Sequence, residues 1–210
     1  MSQHHMTRMI LVRHGETAWN QELRFQGHMD IPLSEKGLEQ AGRLSARMAS
    51  EKLDAFYASD LSRAMETARI TADPHGREVN PVPELRETNF GCWEGLTYNE
   101  IMGKYAKEMN LFREDPLVNR IPGGETLQEV ADRCMAGINR IIAGHPDQTV
   151  LVAAHGGAIK VVICSVLGVD LRDYWKFKQD NVALNIIEFY HNDRAIICRL
   201  NDTAHLNCIE

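Results

Sequence analysis

LVRHGET, residues 11–17, carries an apolar run directly into a cation, an imidazole and a glycine. A short apolar run rich in branched residues is typical of a buried strand, and the polar residues after it predict a loop. The run VLVAA at residues 150–154 ends in the same way, at His155-Gly156-Gly157. The sequence therefore predicts two strands that each deliver a histidine to a glycine turn.

Helical periodicity recurs in several stretches after the first strand. Thr126 followed by Glu129 is a capping-box pattern at the start of one of them. Ser59 or Asp60 is the expected cap of another, because short polar side chains accept hydrogen bonds from the first turn of a helix. The predicted helices cover residues 34–48, 61–70, 127–142 and 158–167.

Short branched runs between these helices predict strands. Pro81 and Pro83 should confine the run at residues 79–82 to a sheet edge, because proline cannot donate to a ladder. Alternating strands and helices indicate an α/β fold, here a single-domain three-layer α/β/α sandwich whose sheet is largely parallel with helices on both faces. Ligands of such sheets bind at the carboxyl ends of the strands. The predicted strands cover residues 9–12, 56–58, 79–82, 150–154, 184–190 and 195–200.

Size and composition narrow the class of protein. The 210 residues are 44% hydrophobic, enough for one full core, so residues 9–210 are expected to form one domain after a flexible segment at residues 1–8. A net charge of −6 argues against a nucleic-acid partner. No apolar run approaches the roughly 18 residues of a membrane span, so no membrane partner is expected. Five cysteines without a CxxC pair favour a reducing, cytoplasmic location.

Six motifs in a fixed order resemble the histidine phosphatase superfamily, also called phosphoglycerate-mutase-like. The resemblance runs from residue 9 to residue 171 and is specific as an ordered set, whereas RHG alone would arise by chance. The motifs are LVRHGETAWN (11–20), QGHMDIPLSEKG (26–37), ASDLSRAMETA (58–68), LRETNFGCWEG (85–95), GGETL (123–127) and AAHGG (153–157).

The chemistry of phosphoryl transfer gives candidate roles to two histidines and two arginines. A phosphate monoester is a dianion, so transfer needs cations on its oxygens and a nucleophile in line. His14 is the predicted nucleophile, forming a phosphohistidine, with its other ring nitrogen held by a hydrogen bond. Arg13 and Arg63 are the predicted clamps, because a planar guanidinium offers two donors to two phosphoryl oxygens. His155 is expected to donate to the same phosphoryl group.

The resemblance supplies the remaining site residues. It implies that Glu87 donates a proton to the leaving oxygen and then activates water, with a bound phosphate keeping it protonated until then. On spacing alone, other glutamates compete for this role. The competitors are Glu16, Glu84 and Glu94. Further pocket residues implied by the family positions are Asn20, Gln26, Gly27 and Gly156.

A metal site is the main rival interpretation of the histidines, but no HxH, HExxH or Cys/His pairing occurs, and arginines beside the two histidines would repel a divalent ion. No metal and no cofactor are therefore expected. The family contains mutases and phosphatases. The mutases are typically longer, with a basic, proline-rich insertion that this chain lacks, so a phosphatase open to water is favoured.

The predicted substrate is a small phosphomonoester, among them α-ribazole 5'-phosphate, sugar phosphates or phosphoglycerates. A cofactor-dependent phosphoglycerate mutase and a non-catalytic phosphate-binding regulatory module stay open as alternatives. Residues 96–122 are expected to cover the site and set specificity, and a strand edge within residues 184–200 would allow a homodimer. The alternative is that most of the side chains considered for specificity form the packing face of a helix. These side chains are Tyr98, Tyr105, Met109, Phe112, Arg113 and Arg120.

Overall fold

A computed structural model describes residues 6–190 and 194–207. Its main elements alternate in chain order between strands and helices, with short 3-10 turns between several of them. The strands are β1 Met6–Arg13, β2 Ala55–Ala58, β3 Val79–Pro81, β4 Thr149–Ala154, β5 Leu184–Tyr190 and β6 Arg194–Asp202. The helices are α1 Ala18–Gln21, α2 Glu35–Met48, α3 Ser62–Ala72, α4 Tyr98–Glu114, α5 Leu127–Gly144 and α6 Gly156–Leu167.

The strands form one six-stranded sheet in the order β3-β2-β4-β1-β5-β6. Strands β1 to β4 pair in parallel, whereas β5 runs antiparallel to both β1 and β6. The prediction of a largely parallel α/β sheet is confirmed. β3 lies at an edge, as its prolines predicted.

Two cores cover the two faces of this sheet, because successive strand side chains point to opposite sides. Met9 and Leu11 of β1 face α5 and α6, where they pack among residues such as Cys134. Ile10 and Val12 face the other way and pack with residues of α2 such as Leu44. Helices therefore lie on both faces, and the three-layer sandwich is confirmed.

Local capping explains where most helices begin. The Ser34 side chain accepts from Gly37 N–H at the start of α2, and the predicted capping box of Thr126 and Glu129 opens α5. The predicted cap of α3 is wrong: Leu61 occupies that position and makes no side-chain cap bond. Asp60 instead forms an ion pair with Arg86, and Ser59 lies beside His155.

The first strand begins earlier than the sequence predicted. β1 begins at Met6, three residues before the apolar run, because residues 6–8 pair with β5. Residues 6–8 therefore lie in the sheet rather than in a flexible segment, and residues 1–5 lie outside the described residues. The two predicted strands at residues 184–190 and 195–200 are present and pair with each other in antiparallel fashion. Their connection at residues 191–193 lies outside the described residues.

The segment that precedes α5 forms a small apolar cluster of its own. Trp93 packs edge-on against Phe112 of α4 and against Phe25. Phe25 in turn packs edge-on against Phe90, with ring centroids 5.0 Å apart. This aromatic cluster fixes α4 to the loop that follows α1. Among the described helices, none combines the length and apolar content that a membrane span requires.

Candidate active site

The pairing of β1 with β4 brings the two strand-end histidines together. Arg13 and Ala154 are register partners, so His14 and His155 leave the sheet side by side. The backbone N–H of His14 donates to the carbonyl of Ala154 over 3.0 Å. The two ring centroids lie 5.2 Å apart, at an interplanar angle of 57°. The prediction that these residues meet at the carboxyl end of the sheet is confirmed.

His14 is held as a neutral imidazole with one ring nitrogen committed. Its Nδ1–H donates to the carbonyl of Gly15 over 2.7 Å, which leaves Nε2 with the lone pair. The residue is buried, and burial, Arg63 and Arg13 together hold its pKa well below the usual range. The predicted hydrogen bond to the second nitrogen is confirmed.

Arg63 is fully buried in the first turn of α3. It donates to the carbonyls of Gly27 and Met29, each over 2.8 Å, while its buried Nε has no protein partner. Burial lowers the pKa of this guanidinium to about 10, so it stays charged at neutral pH. A charge held this deeply in the fold attracts an anion strongly, because little solvent screens it.

Arg13 repeats this pattern on the other side of His14. One of its amino groups donates to the carbonyl of Gln179 over 2.7 Å, and its Nε is likewise buried without a protein partner. Within the described part of the chain, neither Arg13 nor Arg63 forms a salt bridge within 4.0 Å. A half-buried and a fully buried cation thus share the cavity of one neutral histidine, without a direct acidic partner among the described residues.

The Glu87 carboxylate is fastened to the first turn of α6. It accepts from the backbone N–H groups of Gly157 and Ala158, over 3.0 and 3.2 Å, and from that of Thr88 over 2.9 Å. A helix N-terminus favours such a negative charge. The same helix starts directly after His155, so one turn of chain places both side chains.

The three competing glutamates have other partners. Glu16 binds Lys36, and Glu84 binds Arg140. Glu94 accepts from the backbone N–H groups of His28 and Phe90. Glu87 is the glutamate that lines the same cavity as His14.

That cavity has a volume of about 260 Å³, which suits a small ligand. Of the predicted pocket residues, Asn20 and Gln26 line it, and Gln26 presents a buried Oε1 without a protein partner. Gly27 contributes its carbonyl to Arg63, and Gly156 lies against Arg13, where an added Cβ would sit 3.5 Å from Nε. The cavity is lined by Arg13, His14, Asn20, Leu23, Arg24, Phe25, Gln26, Arg63, Glu87 and Phe90.

The orientation of the Asn20 side chain follows from its hydrogen bonds. Its Oδ1 accepts from the backbone N–H and the hydroxyl of Thr17, each over 3.1 Å, and from Asn181 Nδ2 over 3.3 Å. An amide oxygen surrounded by donors leaves its NH₂ group as the end that is free to donate into the cavity.

The expected role of residues 96–122 at the site is wrong. None of the six side chains named for specificity is among the described residues that line the cavity. Met109, Phe112 and Tyr105 pack in the aromatic cluster, and Arg120 pairs with Glu129. Leu23, Phe25 and Phe90 form the apolar part of the cavity wall instead.

Several supporting residues were missed from the sequence. Asn181 Nδ2 donates to the carbonyl of His14, and the Thr67 hydroxyl accepts from Gly15 N–H. Arg133 donates to the carbonyls of Glu84, Arg86 and Glu87 and pairs with Glu125, which fastens the Glu87 segment to α5. Only Thr67 lies in a quoted motif. Asn181 and Arg133 act on backbone carbonyls, a contact that leaves no sequence pattern.

Within residues 6–190 and 194–207, no cluster of three or more His, Cys, Asp or Glu side chains could hold a metal ion. What converges on the cavity is a set of hydrogen-bond donors and cations, which is the chemistry that binds an oxyanion.

Comparisons with known proteins identify the family of the chain and relatives of similar fold. The family model described as "Histidine phosphatase superfamily (branch 1)" matches residues 9–203. Phosphoserine phosphatase 1 of Hydrogenobacter thermophilus is 36% identical over 201 residues, which cover 96% of this chain and 95% of that protein. Among solved structures, Bacillus stearothermophilus YhfR is 32% identical with a TM-score of 0.90, covering 96% of this chain and 100% of that one. The alpha-ribazole phosphatase from Shigella flexneri is 29% identical with a TM-score of 0.84, covering 93% and 96%.

Proposed function

The chain belongs to branch 1 of the histidine phosphatase superfamily and is a phosphomonoester hydrolase, and we propose that it works through a phosphohistidine on His14 without a metal ion. The observation that carries this proposal is the pair of guanidiniums, Arg13 and Arg63, each with a buried Nε, that line the same cavity as a neutral His14. Their Nε–H groups have no protein acceptor, and two oxygens of a bound phosphoryl group would be acceptors for them.

In the first step, His14 Nε2 attacks phosphorus as the bond to the leaving oxygen breaks. Arg13, Arg63 and the Asn20 amide stabilise the negative charge that develops on the phosphoryl oxygens. Glu87, in its protonated form, gives its proton to the leaving oxygen and becomes a carboxylate. The products of this step are the free alcohol and N-phosphohistidine.

In the second step, the Glu87 carboxylate takes a proton from water as that water attacks phosphorus. The P–N bond breaks, inorganic phosphate leaves, and His14 and Glu87 return to their starting states. Backbone donors from Thr88, Gly157 and Ala158 keep the Glu87 oxygens in place through both steps. Positioning and electrostatics supply the catalysis, as is usual for phosphoryl transfer.

For the substrate, we propose L-phosphoserine as the first candidate. The support is the 36% identity over 95% of a relative named phosphoserine phosphatase, and a cavity of about 260 Å³ that accommodates a small ester. α-Ribazole 5'-phosphate is the second candidate, because a solved relative carries that activity in its name. Sugar phosphates and phosphoglycerates complete the set.

The test is phosphate release from this panel and from p-nitrophenyl phosphate in EDTA, for the wild type, His14→Ala and the control His75→Ala. We expect EDTA-resistant turnover that is abolished only in His14→Ala, and an acid-labile phosphoryl enzyme after rapid quenching. Turnover that requires added metal, or that survives in His14→Ala, would overturn the mechanism. Interconversion of 3- and 2-phosphoglycerate faster than phosphate release would identify a mutase, and phosphate binding without any turnover would identify a binding module.

We also propose that two copies pair through β6, the outer strand of the sheet. Ile196 and Leu200 expose 51% and 42% of their surface on this strand. Register shifts between β5 and β6 limit the regular edge to the first half of β6. Light scattering of the wild type and of Ile196→Lys measures this directly: a dimer that becomes a monomer supports the pairing, and a wild-type monomer at micromolar concentration refutes it.

A further inference from the structure

A buried serine is in contact with the second histidine of the site. Ser59 follows β2, is fully buried, and donates its backbone N–H to the carbonyl of Ala153 over 2.9 Å. Its Oγ lies 2.8 Å from His155 Nε2. The backbone N–H of Leu61 points at the same hydroxyl, over 3.4 Å. Neither contact is part of the chemistry assigned above.

We infer that Ser59 is a positioning residue that fixes His155 in the tautomer with its proton on Nδ1, and thereby makes Nδ1–H a donor to the phosphoryl group. This inference rests on the proposed function for the identity of the anion. Its first part, the position of the proton, is a property of the free protein and stands apart from turnover.

The proton follows from counting donors around the serine hydroxyl. A hydroxyl has one hydrogen and two lone pairs. The N–H of Leu61 donates to one lone pair, so it cannot accept the Ser59 hydrogen. Among the described residues, His155 Nε2 is the other group within hydrogen-bond distance of this buried hydroxyl, and it is therefore the acceptor available to that hydrogen. His155 is neutral, because burial, Arg63 and His14 hold its pKa well below the usual range. A neutral imidazole whose Nε2 accepts must carry its proton on Nδ1.

The second ring nitrogen of His155, Nδ1, supports the same assignment. His155 Nδ1 is buried and has no partner among the described residues. A lone pair on Nδ1 would repel the oxygens of a phosphoryl group bound to His14, whose ring centroid is 5.2 Å away. An N–H at Nδ1 would instead donate to one of those oxygens, which would satisfy a buried donor that has no acceptor among the described residues.

Loss of the Ser59 hydroxyl should therefore affect the reaction through His155. In Ser59→Ala, nothing selects between the tautomers, and part of the protein presents a lone pair to the substrate. We expect kcat/KM to fall roughly 10- to 100-fold, in the range for losing one buried hydrogen bond. The conservative variant Ser59→Thr keeps the hydroxyl and should recover most of this loss.

The direct measurement is the ¹⁵N chemical shifts of histidine-labelled protein, with His155 assigned by comparison with His155→Gln. In the wild type, free and with inorganic phosphate, we expect a protonated Nδ1 and an unprotonated Nε2. Ser59→Ala should give a mixture of the two tautomers. Thr71→Ala is the matched control, since it removes another fully buried hydroxyl, on α3, whose hydrogen-bond partner among the described residues is the carbonyl of Thr67.

Three outcomes would overturn the inference about Ser59, and a fourth would overturn the proposed function. A wild-type His155 protonated on Nε2 overturns the inference without any variant. The same holds if Ser59→Ala keeps the wild-type tautomer, or if Thr71→Ala loses as much activity at equal thermal stability. Failure of the proposed function would appear elsewhere, as turnover that does not depend on His14.

Discussion

Gly157→Ala is the sharpest single test of the site, because it moves one carboxylate and little else. Gly157 is the second residue of α6, and an added Cβ would lie 2.4 Å from Glu87 Oε1 and 3.1 Å from the Thr88 hydroxyl. Ordinary contact begins at 3.4 Å, so the Glu87 carboxylate must retreat by about 1 Å. The retreat also weakens the hydrogen bond that the carboxylate accepts from Gly157 N–H.

The expected cost is about 100-fold in kcat/KM on an alkyl phosphate such as phosphoserine, the loss associated with a 1 Å misplacement of a reacting group. It should be far smaller on p-nitrophenyl phosphate, because p-nitrophenolate leaves without a proton. The contrast between the two substrates isolates proton donation from phosphate binding. Inhibition by inorganic phosphate should change little, since Arg13 and Arg63 are not displaced.

Gly42→Ala is the matched control, since Gly42 lies within α2 and an added Cβ there meets nothing within 4 Å. It should leave kcat/KM unchanged and raise the free energy of unfolding by about 1 kcal/mol. Glu87→Asp draws the carboxylate back by about 1.5 Å, so Gly157→Ala should cost less in that background. Equal losses on both substrates, or an additive double variant, would refute the assignment of Glu87 as proton donor.

Three further outcomes follow from the same structure. Arg63→Lys should lower kcat/KM about 100-fold or more, because a lysine cannot serve both Gly27 and Met29 and still reach the phosphate, whereas Arg69→Lys on the same helix should be neutral. Leu23 is 77% exposed yet has a φ of 55°, so Leu23→Asn should raise the free energy of unfolding by about 1 kcal/mol and Leu23→Ala should not; thermal unfolding decides. Burial holds the pKa of His14 and His155 well below the usual range, so below about pH 6.5 the unfolded chain binds protons that the folded chain does not. Urea unfolding should then show a free energy that falls as the pH drops from 7 to 5, and the same slope in His14→Asn/His155→Asn would contradict this.

Sequence reasoning located the strand ends because they carry two signals at once. The apolar runs before His14 and His155 predict buried strands, and strands of a parallel sheet end on the same side. Arg63 was predicted from the chemistry of phosphate binding, whereas Glu87 needed the family resemblance, since a glutamate in a loop has no distinguishing pattern. The structure brings all four to one place.

The contacts that hold the site residues in place could not be predicted, because they are made by backbone groups. The backbone carbonyl of Gln179 accepts a hydrogen bond from Arg13, and any residue at position 179 would offer such a carbonyl. At the end of β1, the backbone N–H of Val182 donates to the carbonyls of Arg13 and His14. This β-branched residue has a φ of 51°, a conformation that it rarely adopts without such constraints. No local preference of the sequence favours that turn, so only the assembled sheet explains it.

The error over residues 96–122 has a physical cause that bears on substrate choice. Their aromatic side chains looked available to a ligand, but an isolated helix must bury its apolar side, and the nearest apolar surface is Trp93 with Phe25 and Phe90. Phe25 and Phe90 contact this cluster on one side and the cavity on the other. Changes in α4 would therefore reach the cavity by shifting these two rings, or through Glu100, which pairs with the cavity residue Arg24. The loop after α1 also places Leu23 and Gln26 in the cavity wall. We therefore expect substitutions at these two positions to change the preference for the leaving group, because they alter the cavity wall outside the core.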